Sequence, residues 1–99
     1  MRLIAPESTE WEIGNAFSAM LKRKRITVEQ AVKAIEVYKQ IPIRFVSIEL
    51  DEAVKLADEL DIYAYDAYMI RCALKYKSPL LTLDKGLRYA AQMKSVTLI

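Results

Sequence analysis

Three acidic side chains, Asp66, Asp84 and Glu12, stand where their oxygens can be gathered around a metal ion. Asp66 lies in the first turn of an expected helix, and Asp84 lies where a short apolar run ends and the next helix begins. Glu12 lies in an earlier helix. Mg²⁺ and Mn²⁺ prefer carboxylate oxygens, keep several waters and take further oxygens from substrate phosphates. The sequence therefore predicts a hard-cation site.

Each of these acids also has an ordinary structural explanation. As a first-turn acid, Asp66 stabilises the helix dipole, and Asp84 within Thr-Leu-Asp-Lys-Gly is a normal N-cap. Glu12, with other acids nearby, is explained as a solvated helix residue. What favours the metal site is the combination of acids at several helix starts with the absence of histidine. That absence excludes histidine-based catalysis and histidine zinc sites.

The residues around these acids have two interpretations as well. Thr82 is either a strand residue or a hydroxyl donor to a neighbouring carboxylate. Tyr63, Tyr65 and Tyr68 are expected to be packing residues. The consecutive basic residues 22–25 are expected to form a solvated helix C-terminus, which the helix dipole favours, with a nucleic-acid contact as the alternative.

The composition is that of one globular domain spanning residues 1–99. A hydrophobic share of 54% with 28% charged residues indicates a core rather than disorder. No apolar run approaches the roughly 20 residues that a membrane span needs, and the N-terminus MRLIAPESTE does not have the form of a signal peptide. The only cysteine, Cys72, fits a reducing compartment and predicts a buried thiol. We therefore expect a cytoplasmic protein.

Short strands alternate with helices along the chain. Because the strands are uniformly apolar, we expect an α/β fold with a short parallel sheet covered by helices on both faces. The Thr-Val-Glu-Gln sequence at Thr27 predicts a capping box. The expected strands cover residues 2–5, 43–48, 80–83 and 96–99, and the expected helices begin near residues 7, 28, 49, 64 and 84.

In such a sheet the carboxyl ends of the strands share one edge with the helix N-termini that follow them, and ligands bind at that edge. Asp84 stands there directly. Asp66 leads a helical stripe that continues through Met69, Ile70 and Ala73. Its carboxylate is therefore expected to point inward at the sheet, where it needs a partner.

Three segments carry a resemblance to a known family: LIAPESTEWEIGNAF, IRFVSIELDEAVKLADELDIYAYDAYMIRCALKYKSPLLTLDKGL and SVTLI. The Pro-to-Glu spacing of the first segment and the combination of YDAYM with LLTLDKGL are the specific features. The helical hairpin of residues 7–40 fits as well. With these features the chain resembles the PIN domain, and specifically the VapC-type toxins of prokaryotic toxin–antitoxin pairs. The resemblance implies a PIN-like three-layer α/β fold.

The same resemblance implies an activity, that of a metal-dependent endoribonuclease that cleaves single-stranded RNA phosphodiesters. Glu12, Asp66 and Asp84 then correspond to acids of the family's cluster. In the family such acids bind Mg²⁺ or Mn²⁺ and activate a water. The metal lowers the pKa of that water and neutralises charge on the scissile phosphate.

Further roles and partners follow from the resemblance. Thr82 corresponds to a supporting residue beside the site, and Lys85 is a candidate to contact the RNA backbone. Arg88 is a weaker candidate for the same contact. The implied partners are RNA and a cognate antitoxin protein.

The sequence departs from the family pattern at its N-terminal side. The family begins with a strand that ends in another acid, whereas this sequence begins at the following strand and is N-terminally truncated by comparison. The sheet is then expected either to pair residues 2–5 directly with residues 80–83 or to borrow a strand from a second copy. An unpaired apolar edge favours association, so we expect a homodimer. Local substitutes for the missing acid are Glu7, Glu10 and Asp61.

This departure leaves an alternative function open. A chain that lacks one acid of the cluster is explained as a catalytically inactive PIN-like fragment that binds an antitoxin, RNA or itself. A second departure is Tyr63, which stands where the family often has a small capping hydroxyl.

Overall fold

A computed structural model describes residues 3–99, and its elements follow the expected alternation of strands and helices. None of the helices in this range combines the length and the apolar character that crossing a membrane requires. The elements are β1 (Leu3–Pro6), α1 (Thr9–Lys22), α2 (Val28–Lys39), β2 (Ile43–Val46), α3 (Leu50–Leu60), α4 (Ala64–Lys75) and α5 (Lys85–Met93). The α/β fold class is thereby confirmed.

The chain divides into two compact units, Met1–Phe45 and Val46–Ile99. In the N-terminal unit, β1 and β2 form a two-stranded parallel sheet, and the helices α1 and α2 connect the two strands. The last residue of β2, Val46, is counted with the second unit. The expectation of one domain over residues 1–99 stays a prediction.

Local sequence determines where the helices of the N-terminal unit begin and end. At the start of α2, Thr27 Oγ1 accepts a hydrogen bond from the Gln30 backbone N–H at 3.1 Å, and Gln30 Oε1 accepts one from the Thr27 N–H at 2.9 Å. The predicted capping box is therefore confirmed. The basic residues 22–25 begin at the last residue of α1 and are exposed, as expected for a solvated helix end.

The C-terminal unit has its own hydrophobic core, built by α3, α4, α5 and the chain around them. Helix α3 packs against α4. Ile70 of α4 is completely buried, and Cys72 is also buried, as predicted. Burial raises the pKa of the Cys72 thiol. The buried residues of this core are Ala53, Leu56, Ala67, Ile70, Ala73, Leu80, Leu87, Ala90, Ala91 and Val96.

An ion cluster ties the start of α3 to α4. One carboxylate oxygen of Glu49 accepts from Arg71 Nη2 at 2.9 Å, and the other lies 2.7 Å from Lys75 Nζ. Lys75 also donates to the Ser47 carbonyl at 3.2 Å. These interactions with two cations lower the pKa of Glu49 to about 2.

The two C-terminal strands are shorter than predicted. Instead of strands at 80–83 and 96–99, the structure has one parallel bridge between Leu80 and Leu98. Leu80 N–H donates to the Thr97 carbonyl at 2.8 Å, and Ile99 N–H donates to the Leu80 carbonyl at 3.1 Å. Only Leu80 of the apolar run is buried, while Leu81 and Leu83 face solvent. The prediction of an apolar strand over residues 80–83 is therefore wrong.

The pairing of the first strand also differs from one expectation. In the sheet that the described residues form, β1 is paired with β2. Direct pairing of residues 2–5 with residues 80–83 is not part of that sheet, and Arg2 lies outside the described residues. Strand β2 ends at Val46, two residues before the expected end at Ile48, because the chain then turns towards Glu49 and α3. The borrowed strand and the homodimer stay predictions.

Candidate acidic site

Two of the predicted acids come together in the C-terminal unit. Asp66 lies in the first turn of α4 and is half-buried, and Asp84 lies at the start of α5. Burial raises the pKa of Asp66, and the negative charge of Asp84 raises it further. The stripe that Asp66 leads continues through the buried residues Ile70 and Ala73. The carboxyl groups of Asp66 and Asp84 therefore lie near each other in the fold.

Asp84 has the N-cap role that its sequence context predicts. Its Oδ1 accepts a hydrogen bond from the Leu87 backbone N–H at 3.1 Å. A Cβ added at Gly86 would lie 3.3 Å from the same oxygen, so glycine at this position keeps the carboxylate uncrowded. Because the cap uses one carboxylate oxygen, it is compatible with a cation at the other.

Thr82 and Arg88 stabilise the segment that carries Asp84. Thr82 Oγ1 accepts from the Asp84 N–H at 3.1 Å, which is the local turn chemistry of a hydroxyl residue two positions earlier. Arg88 Nη1 donates to the carbonyls of Thr82 and Ile99 at 3.3 and 3.5 Å. Lys85, the first residue of α5, is exposed to solvent. The roles predicted for these three residues towards RNA and the acids stay predictions.

The third predicted acid, Glu12, belongs to the N-terminal unit. It is half-buried in the first turn of α1, and Ser8 Oγ donates to its Oε2 at 3.5 Å. The suggested substitutes Glu7 and Glu10 lie near it in sequence and are exposed, as is Asp61 at the end of α3. The membership of Glu12 in a common site stays a prediction.

The donor set of the C-terminal unit fits a hard divalent cation. Mg²⁺ is usually held by one or two carboxylates together with waters and substrate phosphates, and Asp66 and Asp84 supply two carboxylates. The charge of a cation would offset the repulsion that raises the pKa of Asp66. Within residues 3–99, no group of three or more His, Cys, Asp or Glu side chains is arranged to hold a metal ion.

Tyrosines beside the acids do not all pack as expected. Tyr68 packs against the core, but Tyr63 is 87% exposed and Tyr65 is 51% exposed. The packing prediction is therefore wrong for Tyr63, whereas Tyr65 is half-exposed but has its ring against that of Tyr68. A signal in the sequence was available, because Tyr63 stands at the N-cap of α4, where a side chain precedes the buried helical stripe.

Comparison with models of protein families matches the PIN domain to residues 2–92 of the chain. The matched range includes Glu12, Asp66 and Asp84. Comparisons with curated proteins and with solved structures give no significant match.

Proposed function

The chain belongs to the PIN domain family, and we propose that it is a VapC-type toxin, a metal-dependent endoribonuclease that cleaves single-stranded RNA. The family match supports a nuclease-like protein, and PIN domains are typically dependent on divalent metals. The observation that carries the proposal is the pairing of Asp66 with Asp84 at two neighbouring helix starts, where the charge of one raises the pKa of the other.

In this proposal Asp66 and Asp84 hold Mg²⁺ or Mn²⁺, and Glu12 keeps the role that the resemblance to the family implies. When bound, the metal supplies charge neutralisation at the scissile phosphate and lowers the pKa of a water. Asp66 contributes a half-buried carboxylate that loses its proton more readily beside a cation. Asp84 contributes a carboxylate whose direction is fixed by its bond to the Leu87 N–H. Lys85, exposed beside Asp84, adds a positive charge for the RNA backbone.

The test is cleavage of a labelled single-stranded RNA in Mn²⁺ by the wild type and by Asp66→Asn, Asp84→Asn and Glu12→Gln. Loss of a carboxylate ligand is expected to lower the rate by at least about 100-fold. Asp84→Asn is the most informative of these variants, because asparagine caps a helix as well as aspartate does. Its fold is therefore retained while its charge is lost.

Asp58→Asn serves as the matched control, since Asp58 is an exposed acid of α3. Its cleavage rate and Mn²⁺ affinity, measured by calorimetry, should equal those of the wild type. Full activity in Asp66→Asn, or equal cleavage by the wild type in EDTA and in Mn²⁺, would show that the acidic site is not the catalytic centre.

A second candidate is a PIN-like protein without catalysis, which acts by binding an antitoxin, RNA or a second copy of itself. It is favoured by the hydrogen bond between Asp84 and the Leu87 N–H, because that bond explains Asp84 as an N-cap without any chemistry. A wild type that binds RNA but gives no Mn²⁺-dependent product would support this candidate over the nuclease.

A further inference from the structure

Tyr63 has neither of the usual structural reasons for its position. It is the N-cap of α4, with extended φ and ψ of −75° and 159°, and its side chain makes no capping hydrogen bond. Serine, threonine, aspartate and asparagine are preferred there because their oxygens accept from the free N–H groups of the first turn. The tyrosine ring is 87% exposed, so it does not pack either.

The position of Tyr63 relates it to the acid pair. Asp66 follows three residues later, at the spacing that brings side chains onto the same side of a helix. Asp66 and Asp84 stand at the starts of α4 and α5 in the same compact unit. On the other helix start, Asp84 is flanked by Leu83, which is 95% exposed, and by the exposed Lys85. The two helix starts that carry the carboxylates therefore also carry an exposed aromatic ring, an exposed apolar side chain and an exposed cation.

Tyr65 adds a second ring whose position is already fixed. Its ring centroid lies 6.0 Å from that of Tyr68, with the two planes at 85°. Tyr68 is packed against the core of the C-terminal unit, so it holds the ring of Tyr65 while half of that ring's surface remains open. A ring that is held before binding loses little conformational entropy when a ligand stacks on it.

We propose that Tyr63 and Tyr65 stack on the bases next to the phosphate that would share a divalent cation with Asp66 and Asp84. This proposal rests on the proposed function and names what selects its substrate. Bases stack on aromatic side chains only where they are unpaired and splayed out, as in single strands and loops. The two tyrosines therefore select single-stranded over duplex RNA, and Lys85 pairs with a neighbouring phosphate.

The test compares the affinity of a short fluorescein-labelled oligoribonucleotide for the wild type, Tyr63→Ser and Tyr63→Phe. Ca²⁺ replaces Mn²⁺ so that the strand stays intact. Tyr63→Ser is expected to weaken binding roughly 5- to 160-fold, the range for loss of one stacked base. Tyr63→Phe keeps the ring and should bind like the wild type. An abasic strand of equal length should bind equally well to all three proteins.

The fold provides an internal control, because serine is a better N-cap than tyrosine. Tyr63→Ser should therefore unfold at a higher temperature than the wild type while binding RNA more weakly. Tyr76→Ser is the matched variant at the opposite end of α4 and should leave RNA affinity unchanged.

Unchanged affinity in Tyr63→Ser would overturn the stacking proposal, as would an equal loss of affinity for the abasic strand. Equal affinity of the wild type for duplex and single-stranded RNA would overturn it as well. If the wild type binds RNA through Tyr63 but shows no Mn²⁺-dependent cleavage, the stacking proposal is supported and the proposed nuclease function is contradicted. If Tyr63→Ser cleaves and binds RNA like the wild type, the proposed nuclease function is supported and the stacking proposal is contradicted.

Discussion

At Asp66, burial and the charge of Asp84 act on the carboxyl group in the same direction, and both favour its protonated form. The folded state therefore keeps a proton that the unfolded chain has already lost. As pH rises from the ordinary aspartate pKa of 3.8 through the raised folded pKa, ionisation of Asp66 is expected to lower the free energy of unfolding. An acid that destabilises its own fold is consistent with a role in binding a cation.

We predict that Asp66→Asn is more stable than the wild type near pH 7 without divalent metal. The advantage should disappear near pH 3, where the wild-type carboxyl is protonated in both states. Urea unfolding at the two pH values measures the difference, and added Mn²⁺ should stabilise the wild type but not the variant.

Glu36→Gln, at an exposed position of α2, is the control for this measurement and should change stability by less than about 0.5 kcal/mol. An Asp66→Asn protein that is less stable than the wild type near pH 7 would contradict the inference that ionisation of Asp66 destabilises the fold.

Among elements, the junction between α3 and α4 depends on the Glu49 carboxylate and its two cations. The pKa of Glu49 is lowered to about 2, chiefly by hydrogen bonds from Lys75 and Arg71. A lowered folded pKa means that the stabilisation is complete above the ordinary glutamate pKa of 4.5. It is lost as pH falls towards 2.

Glu49→Gln is therefore predicted to lower the urea midpoint at neutral pH and to have little effect near pH 2. The difference between the variant and the wild type should grow as pH rises from about 2 to 4.5 and then stay constant. Glu52→Gln removes a more exposed pair, with Lys55 at 3.5 Å, and should give a smaller and flatter difference. A pH-independent effect of Glu49→Gln would mean that it acts through packing rather than charge.

The elements also show which structure the sequence could predict. The capping box at Thr27 was predictable because its two hydrogen bonds join residues only three positions apart. The absence of a regular strand at residues 80–83 was not predictable, because strand formation depends on a neighbouring chain segment as well as on apolar composition. Leu80 finds such a neighbour in Leu98, whereas Leu81 and Leu83 remain exposed.

The candidate site was also predictable only in part. Helical period alone placed Asp66 on the buried face of α4, ahead of Ile70 and Ala73, and the structure has them there. Its closeness to Asp84 followed from the order of strands and helices. The residue type of Tyr63 does not predict its exposure, because tyrosine is intermediate in burial; its place at the N-cap of α4 is the better signal.

For the whole molecule, the two compact units unfold either together or separately. Ile70→Ala removes a completely buried side chain from the C-terminal unit and is expected to cost about 2–5 kcal/mol. Thr27→Ala removes the capping box from the N-terminal unit and is expected to cost about 1 kcal/mol. If the chain is one cooperative domain, as the sequence predicts, each variant should speed global hydrogen exchange in peptides of both units.

Hydrogen exchange measured peptide by peptide by mass spectrometry reads the two units separately. Faster exchange confined to the unit that carries the substitution would contradict the one-domain prediction. Ser18→Ala, at an exposed position of α1, is the control and should leave exchange unchanged.

The only thiol of the chain, Cys72, lies buried in α4 between residues of the C-terminal core. A thiol reagent can reach its sulfur only when this region opens, and burial further suppresses the reactive thiolate. The natural sequence thus contains a single chemical reporter in the same helix as Asp66. The rate at which Cys72 is alkylated would show directly whether metal or RNA closes the helix that carries the acidic site, without any label being introduced.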